Sequence, residues 1–129
     1  MKTLPNGLKV FNATPHVIRF WREGWNKPIE VESDGVISAC PREYIAAPDF
    51  AKAKPDGLAG ITFVETVFEA TDEGLDTLNG ISQEIDVVVG SIIAAQAYPG
   101  SVVAMTPAPG YGRAPPAEKR MNPDKFTVF

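Results

Sequence analysis

The stretch Ile85–Thr106, IDVVVGSIIAAQAYPGSVVAMT, constrains the fold more than any other part of the chain. A β-branched run (Val87, Val88, Val89) meets Gly90-Ser91, and a short segment of good helix formers follows (Ile92, Ile93, Ala94, Ala95, Gln96, Ala97). Pro99-Gly100 stops that helix, and a second β-branched run begins at Val102. The order predicts a strand at Asp86–Val89 and another at Val102–Thr106, paired in parallel through a right-handed crossover helix. Ligands of such units favour the carboxyl ends of the strands, where the chain turns into the helix.

Around this unit the chain reads mostly as strand. Leu8–Phe11 is a first short strand, broken by Asn12-Ala13-Thr14-Pro15-His16. Val17–Trp21 is β-branched and aromatic, Ile29–Glu32 alternates apolar and charged, and Val36–Ala39 follows the turn residues Ser33-Asp34-Gly35. The last three of these predict an antiparallel meander. From Pro41 to Gly60 the periodicity decays, which predicts a long surface loop with at most one helical turn. Ile61–Glu69 returns to β character. Over Thr71–Glu84 two readings compete. Thr71 followed by Glu73-Gly74 can open a helix, whereas Asn79-Gly80 between Leu78 and Ile81 suits a type I′ hairpin turn, and the two glycines favour the hairpin. Pro107–Pro116 can sustain neither helix nor central strand, and Lys125–Phe129 reads as a terminal strand. The expected fold class is therefore α/β (α+β), one compact domain with a mixed sheet. Residues 1–106 form its core, and 107–129 form a Pro/Gly-rich arm whose closing strand packs on that core or on a neighbouring subunit.

Bulk properties narrow the function classes. At 129 residues, with 44% hydrophobic and 22% charged residues, the chain is ordinary single-domain material. A net charge of −4 argues against a general grip on nucleic-acid polymers or on an anionic membrane. No apolar run approaches the roughly 20 residues that span a bilayer, and the N-terminal MKTLPNGLKV lacks the apolar core of a secretory signal. Cys40 is the only cysteine, so no intrachain disulfide forms, and a cytoplasmic setting is expected. Charge is segregated: the segment from Pro107 onward holds Arg113, Lys119, Arg120 and Lys125 against Glu118 and Asp124, on a chain that is acidic as a whole. A basic arm on an acidic body is self-complementary, which predicts a homo-oligomer.

Three strings, Asn12-Ala13-Thr14-Pro15-His16-Val17-Ile18, Val36-Ile37-Ser38-Ala39 and Asp86-Val87-Val88-Val89-Gly90-Ser91-Ile92-Ile93-Ala94, resemble a group of small phage and bacterial proteins of uncharacterised function. The resemblance implies a compact α/β domain and a phage or prophage setting, and it brings no catalytic residues with it. The tail from Tyr98 onward is longer and richer in proline than in the shorter members of that group.

Candidate chemistry is sparse. Gly90 and Ser91 open a helix whose N–H groups welcome phosphate or carboxylate, although a plain helix cap is the commoner role for such a pair. No Walker lysine and no GxGxxG follows, so P-loop chemistry is unsupported. His16, the only histidine, can act as a general base or donate to phosphate, against the blander role of a turn residue. One histidine and one cysteine cannot make a conventional zinc site, and no spacing argues for a carboxylate site on Asp72 or Asp86, so neither metal nor cofactor is expected. Cys40 reads as a small buried hydrophobe rather than a nucleophile, and Ser91 lacks the GxSxG elbow. Glu65 and Glu69 share a face of their strand and read as solvated. Tyr111, flanked by glycines, offers a stacking face, and Arg113 a fork for phosphate.

The expected ligand-binding set is Gly90, Ser91, Thr106, Tyr111, Arg113, His16 and Arg120. The leading expectation is a phage or prophage protein that captures a small anionic, nucleotide-like molecule without catalysis, for example by sequestering a host immune signalling nucleotide. The alternatives are a protein–protein module, such as an inhibitor of a host protein or a minor virion component, and a small enzyme using His16 with Ser91 or Asp86.

Overall fold

The structure is a computed structural model that describes residues 1–46 and 60–129. The described residues form a mixed α+β domain: a seven-stranded sheet, a separate two-stranded sheet and two helices. The strands are β1 (Lys2–Thr3), β2 (Lys9–Asn12), β3 (Ile18–Phe20), β4 (Ile29–Val31), β5 (Ala39–Ile45), β6 (Val64–Ala70), β7 (Val87–Gly90), β8 (Val103–Pro107) and β9 (Met121–Thr127). Helix α1 spans Asp72–Asn79 and α2 spans Ile92–Ala97. The large sheet runs β1-β2-β7-β8-β9-β3-β4, and β5 pairs with β6 alone.

The strand–helix–strand unit forms as its sequence predicts. β7 and β8 pair in parallel through Val89 and Val103, with α2 between them in the chain. Central parallel strands are buried on both faces, which is why Val87–Val89 read as a continuous apolar run. Alternate residues serve two cores. Val87, Val89, Val103 and Met105 pack with Val10, Ile18, Phe20 and Val31, while Val88, Val102 and Ala104 pack with α2 through Ala94, Ala95 and Tyr98. Gly100, at φ 80°, lets the chain reverse after α2, and the N–H groups of Ser101 and Val102 close onto the Tyr98 carbonyl.

The first of these cores draws residues from β2, β3, β4, β7, β8 and β9, so the sheet curls around it. Its two edges nearly meet. The Lys2 ammonium donates to the Glu30 carbonyl at 2.9 Å, and the Asn12 side chain donates to the Val31 carbonyl at 2.9 Å. Side chains thereby satisfy carbonyls that an open edge strand would expose.

Four expectations from sequence are corrected. The β3–β4 hairpin is present, but Val36–Ala39 does not continue a meander. Asp34 and Ile37 instead donate backbone N–H groups to Asn12 and Ala13, so this segment follows the end of β2 rather than the side of β4. The loop expected over 41–60 begins as strand: Pro41–Ile45 belong to β5 and pair with Val64–Phe68. The rest of that loop, residues 47–59, lies outside the described residues. The hairpin favoured over 71–84 is helix α1. Thr71 caps it by accepting from the Gly74 N–H, Asp72 and Glu73 suit the positive end of its dipole, and Gly80 sits at φ −85°, outside the left-handed region that a type I′ turn requires. Cys40 is exposed rather than buried.

The Pro-rich segment runs as a series of turns, Tyr111 N–H to Ala108, Ala114 N–H to Tyr111 and Glu118 N–H to Pro115, and meets the body where Tyr111 packs edge-on against Trp21. The chain then enters β9, which pairs antiparallel with β8 and parallel with β3.

Candidate functional site

The Asn12–His16 string begins the site. Asn12 is fully buried. Its amide nitrogen donates to the carbonyls of His16 (2.7 Å) and Val31 (2.9 Å), and its amide oxygen accepts from the Thr14 N–H (3.0 Å) and the Thr14 hydroxyl (2.7 Å). Every hydrogen-bonding position of this amide is filled, as a buried polar group requires. Asn12 and Thr14 are thus structural. They bend the chain between β2 and β3 and leave His16 exposed at the rim of the curled sheet.

A cleft of about 940 Å³ opens at that rim, where β2 and β7 end and β3 and β9 begin. Its walls are mostly apolar, including Val17, Ile18, Met105, Ala117 and Met121. Three side chains able to carry positive charge, His16, Arg19 and Lys119, stand among them, and Ser91 closes one side. Arg19 is paired with Glu30 at 3.2 Å. Neither His16 nor Lys119 joins an ion pair among the described residues.

Of the residues expected from sequence, the structure brings His16 and Ser91 to this cleft. The Ser91 hydroxyl accepts from the Ala94 N–H at 3.0 Å, so it caps α2, and no hydrogen bond joins it to His16. Helix α2 has only six residues, which limits the dipole it can present. Gly90 faces the second core. A Cβ there would lie 2.6 Å from Val102 Cγ1, so the glycine serves the close approach of β7 to its neighbours rather than the approach of a ligand. The Thr106 hydroxyl is spent on the Lys125 carbonyl at 2.7 Å.

Tyr111 and Arg120 meet each other, but away from the cleft. The Arg120 guanidinium stands 5.1 Å from the Trp21 ring and 5.1 Å from the Tyr111 ring, and the two rings are 5.8 Å apart. Arg113 is exposed on the same turn. Sequence reasoning missed Arg19, Lys119 and the methionines of the cleft wall. Strand alternation carried the signal for Arg19, since it lies between the inward Ile18 and Phe20. Lys119 precedes β9, and its signal in the sequence was only its place in the basic segment after Pro107. No group of three or more His, Cys, Asp or Glu able to hold a metal occurs among the described residues, and no helix among them is long and apolar enough to cross a membrane.

Comparison with family models, curated proteins and solved structures finds no match to this chain.

Proposed function

We propose that this chain binds a small anionic molecule with a flat apolar part, nucleotide-like in character, in the cleft between His16, Ser91 and Lys119, and releases it unchanged. The supporting observation is the combination in one cleft of apolar walls with His16, Arg19 and Lys119. The volume is within the range of about 300–1,000 Å³ typical of small-molecule sites. Apolar walls would bury the base or ring, and the cations would meet phosphate or carboxylate. In the phage setting that the sequence resemblance implies, the ligand would be a host signalling nucleotide held out of circulation.

Calorimetry with mono-, di- and cyclic nucleotides tests this reading. One class is expected to give saturable heat, with Lys119→Ala weakening it roughly tenfold through loss of one charge-assisted contact. Absence of heat with every member refutes the reading. Recovery of an altered ligand moves the protein to the enzymes.

One observation favours a second reading as a protein-docking module: the β5–β6 hairpin exposes Tyr44, Ile45, Val64 and Val67. The homo-oligomer expected from sequence rests instead on the basic segment after Pro107 meeting the acidic remainder of the chain, and sedimentation at micromolar concentration would detect it.

A further inference from the structure

Among the described residues the two sheets end in the outer edges of β1, β4, β5 and β6, and only β6 lacks a device that blocks pairing. β1 is two residues long. On β4 the Glu30 and Val31 carbonyls are occupied by the Lys2 and Asn12 side chains. β5 carries Pro41. Short strands, occupied carbonyls and proline are the ordinary means of closing an edge. β6, with the sequence VETVFEA, has neither proline nor lysine and runs for seven residues.

Ladder parity decides which groups β6 turns outward. The Ala46 N–H donates to the Phe63 carbonyl, so even-numbered residues of β5 bond to odd-numbered residues of β6 across the hairpin. Pro41 therefore faces away from β6, where a missing N–H does no harm. On the opposite edge Val64, Thr66 and Phe68 aim their N–H and carbonyl groups outward, and no other backbone hydrogen bond among the described residues reaches them. The hairpin is also poorly covered. Eleven of its fourteen residues are exposed. Its apolar side chains emerge on both faces, Ile45 beside Val64 on one and Tyr44 and Val67 on the other. The body holds it through α2 and at its root, where the Tyr98 hydroxyl bridges Ser38 and Thr71. A two-stranded hairpin gains most from a third strand.

We infer that the outer edge of β6 pairs with the same edge of a second copy of this chain, antiparallel across a two-fold axis at Thr66, to form a four-stranded sheet. The strand's own sequence selects that occupant. Only outward-facing residues can exchange hydrogen bonds, so the axis must pass through a residue. At Thr66 it sets Val64 against Phe68 of the second copy, Thr66 against Thr66, and Glu65 against Val67. Aromatic–β-branched and threonine pairs are favourable across strands, and no like charges stand opposite each other. An axis at Glu65 opposes that carboxylate to its own copy, and one at Val67 opposes Glu65 to Glu69. Axes nearer either end run the ladder off the strand. The Thr66 register also continues Ile45 and Val64 into Phe68 and Pro41 of the second copy, an apolar row across all four strands that the symmetry makes twice. No residue of β5 or β6 lines the cleft, so the inference stands apart from what the cleft holds.

The test takes the full chain through sedimentation over a range of micromolar concentrations, in low and in high salt, with amide exchange followed by NMR. A dimer is expected in both salts. The Thr66 and Phe68 amides should slow as concentration rises, whereas those of Glu65 and Val67, bonded within the hairpin, should be slow throughout. Thr66→Lys sets two ammonium groups against each other at the axis and is expected to weaken the dimer about tenfold; Thr66 is exposed, so the fold has room for it. If that variant disturbs the hairpin, Thr66→Pro removes the outward N–H as Pro41 does on the other edge, and should weaken the dimer likewise. A chain that stays monomeric overturns the inference. So does a dimer that high salt dissolves, which would report the basic segment after Pro107 instead. A dimer in which Thr66 and Phe68 exchange fast, or one that survives Thr66→Lys at full strength, overturns it as well.

Discussion

Replacing Asn12 with aspartate changes one NH2 to an oxygen and almost nothing in volume, yet the structure predicts a large loss of stability. In the native protein that nitrogen faces two carbonyl oxygens, His16 at 2.7 Å and Val31 at 2.9 Å, at a fully buried position. The single proton of the Thr14 hydroxyl goes to the Asn12 oxygen at 2.7 Å and would stay on a carboxylate there, so the His16 carbonyl, like the Val31 carbonyl, relies on the Asn12 nitrogen as its side-chain donor. In Asn12→Asp, the ionised carboxylate would set a buried negative oxygen against two acceptors. Two carbonyls deprived of that donor and one unpaired buried charge together cost about 3–5 kcal/mol at pH 7, a large share of the stability of a domain this size. Asn12→Ala, which strands the Thr14 N–H and the Val31 carbonyl without adding charge, should cost less, about 2–4 kcal/mol. Protonation partly repairs the aspartate, because a neutral carboxyl can donate to one of the two carbonyls. Its folded-state pKa is therefore raised above that of the unfolded chain. The folded form then holds the proton more tightly, so stability relative to wild type is lowest above the raised pKa and recovers as pH falls through it. Urea unfolding followed by tryptophan fluorescence, at neutral pH and near the ordinary aspartate range, measures both quantities. An aspartate variant within about 1 kcal/mol of wild type at pH 7 would refute the reasoning, given what stranded buried groups cost. So would an identical deficit at the two pH values.

Further outcomes follow from other contacts. The Tyr98 hydroxyl accepts from the Thr71 N–H (2.9 Å) and donates to the Ser38 carbonyl (2.8 Å), tying both roots of the β5–β6 hairpin, so Tyr98→Phe should lose about 1–3 kcal/mol in thermal or urea unfolding. A Cβ on Gly74 would lie 1.8 Å from that hydroxyl, so Gly74→Ala should destabilise by about 1–3 kcal/mol despite better helix propensity, and should combine with Tyr98→Phe less than additively. Asp124 titrates below the ordinary aspartate range chiefly because Asn6 donates to its carboxylate; burial opposes this, and Arg22 adds a hydrogen bond and a positive charge that lower it further. The folded-state value being the lower one, its contribution is present above the unfolded pKa and is lost as pH falls through the folded one. Asn6→Ala should raise the pH at which the Asp124 carboxyl resonance titrates in NMR. Removing residues 107–129 should abolish the cooperative unfolding transition rather than leave an intact body, because β9 lies between β8 and β3.

What the sequence made legible were the local signals. The β7–α2–β8 unit follows from a β-branched run, a capping serine and a Pro-Gly stop, each within a few residues of the structure it specifies. The β3–β4 hairpin follows in the same way from VIRFW and the alternation at Ile29–Val31. Helix α1 was misread because Gly74 looks costly in isolation, and only Tyr98, distant in the chain, explains why no larger residue fits. The pairing of β5 with β6, of β2 with β7 and of β9 with β3 all depend on partners far apart in sequence, which periodicity does not encode. The same holds for the candidate site. His16 and Ser91 announce themselves by residue type, but Lys119 becomes a neighbour of the cleft only once β9 is in its place.

That placement also sets an order of events during synthesis. The β3–β4 hairpin reaches the rest of the sheet through β9, so residues 9–31 are synthesised long before the strand that joins them to β8. Until residues 121–127 emerge, Ile18, Phe20 and Val103 lack their final neighbours, and the nascent chain carries an apolar gap where a strand will be. Long-range pairings of this kind form slowly and invite contact with other sticky chains meanwhile. A cell making this protein quickly would lean on chaperones during that interval.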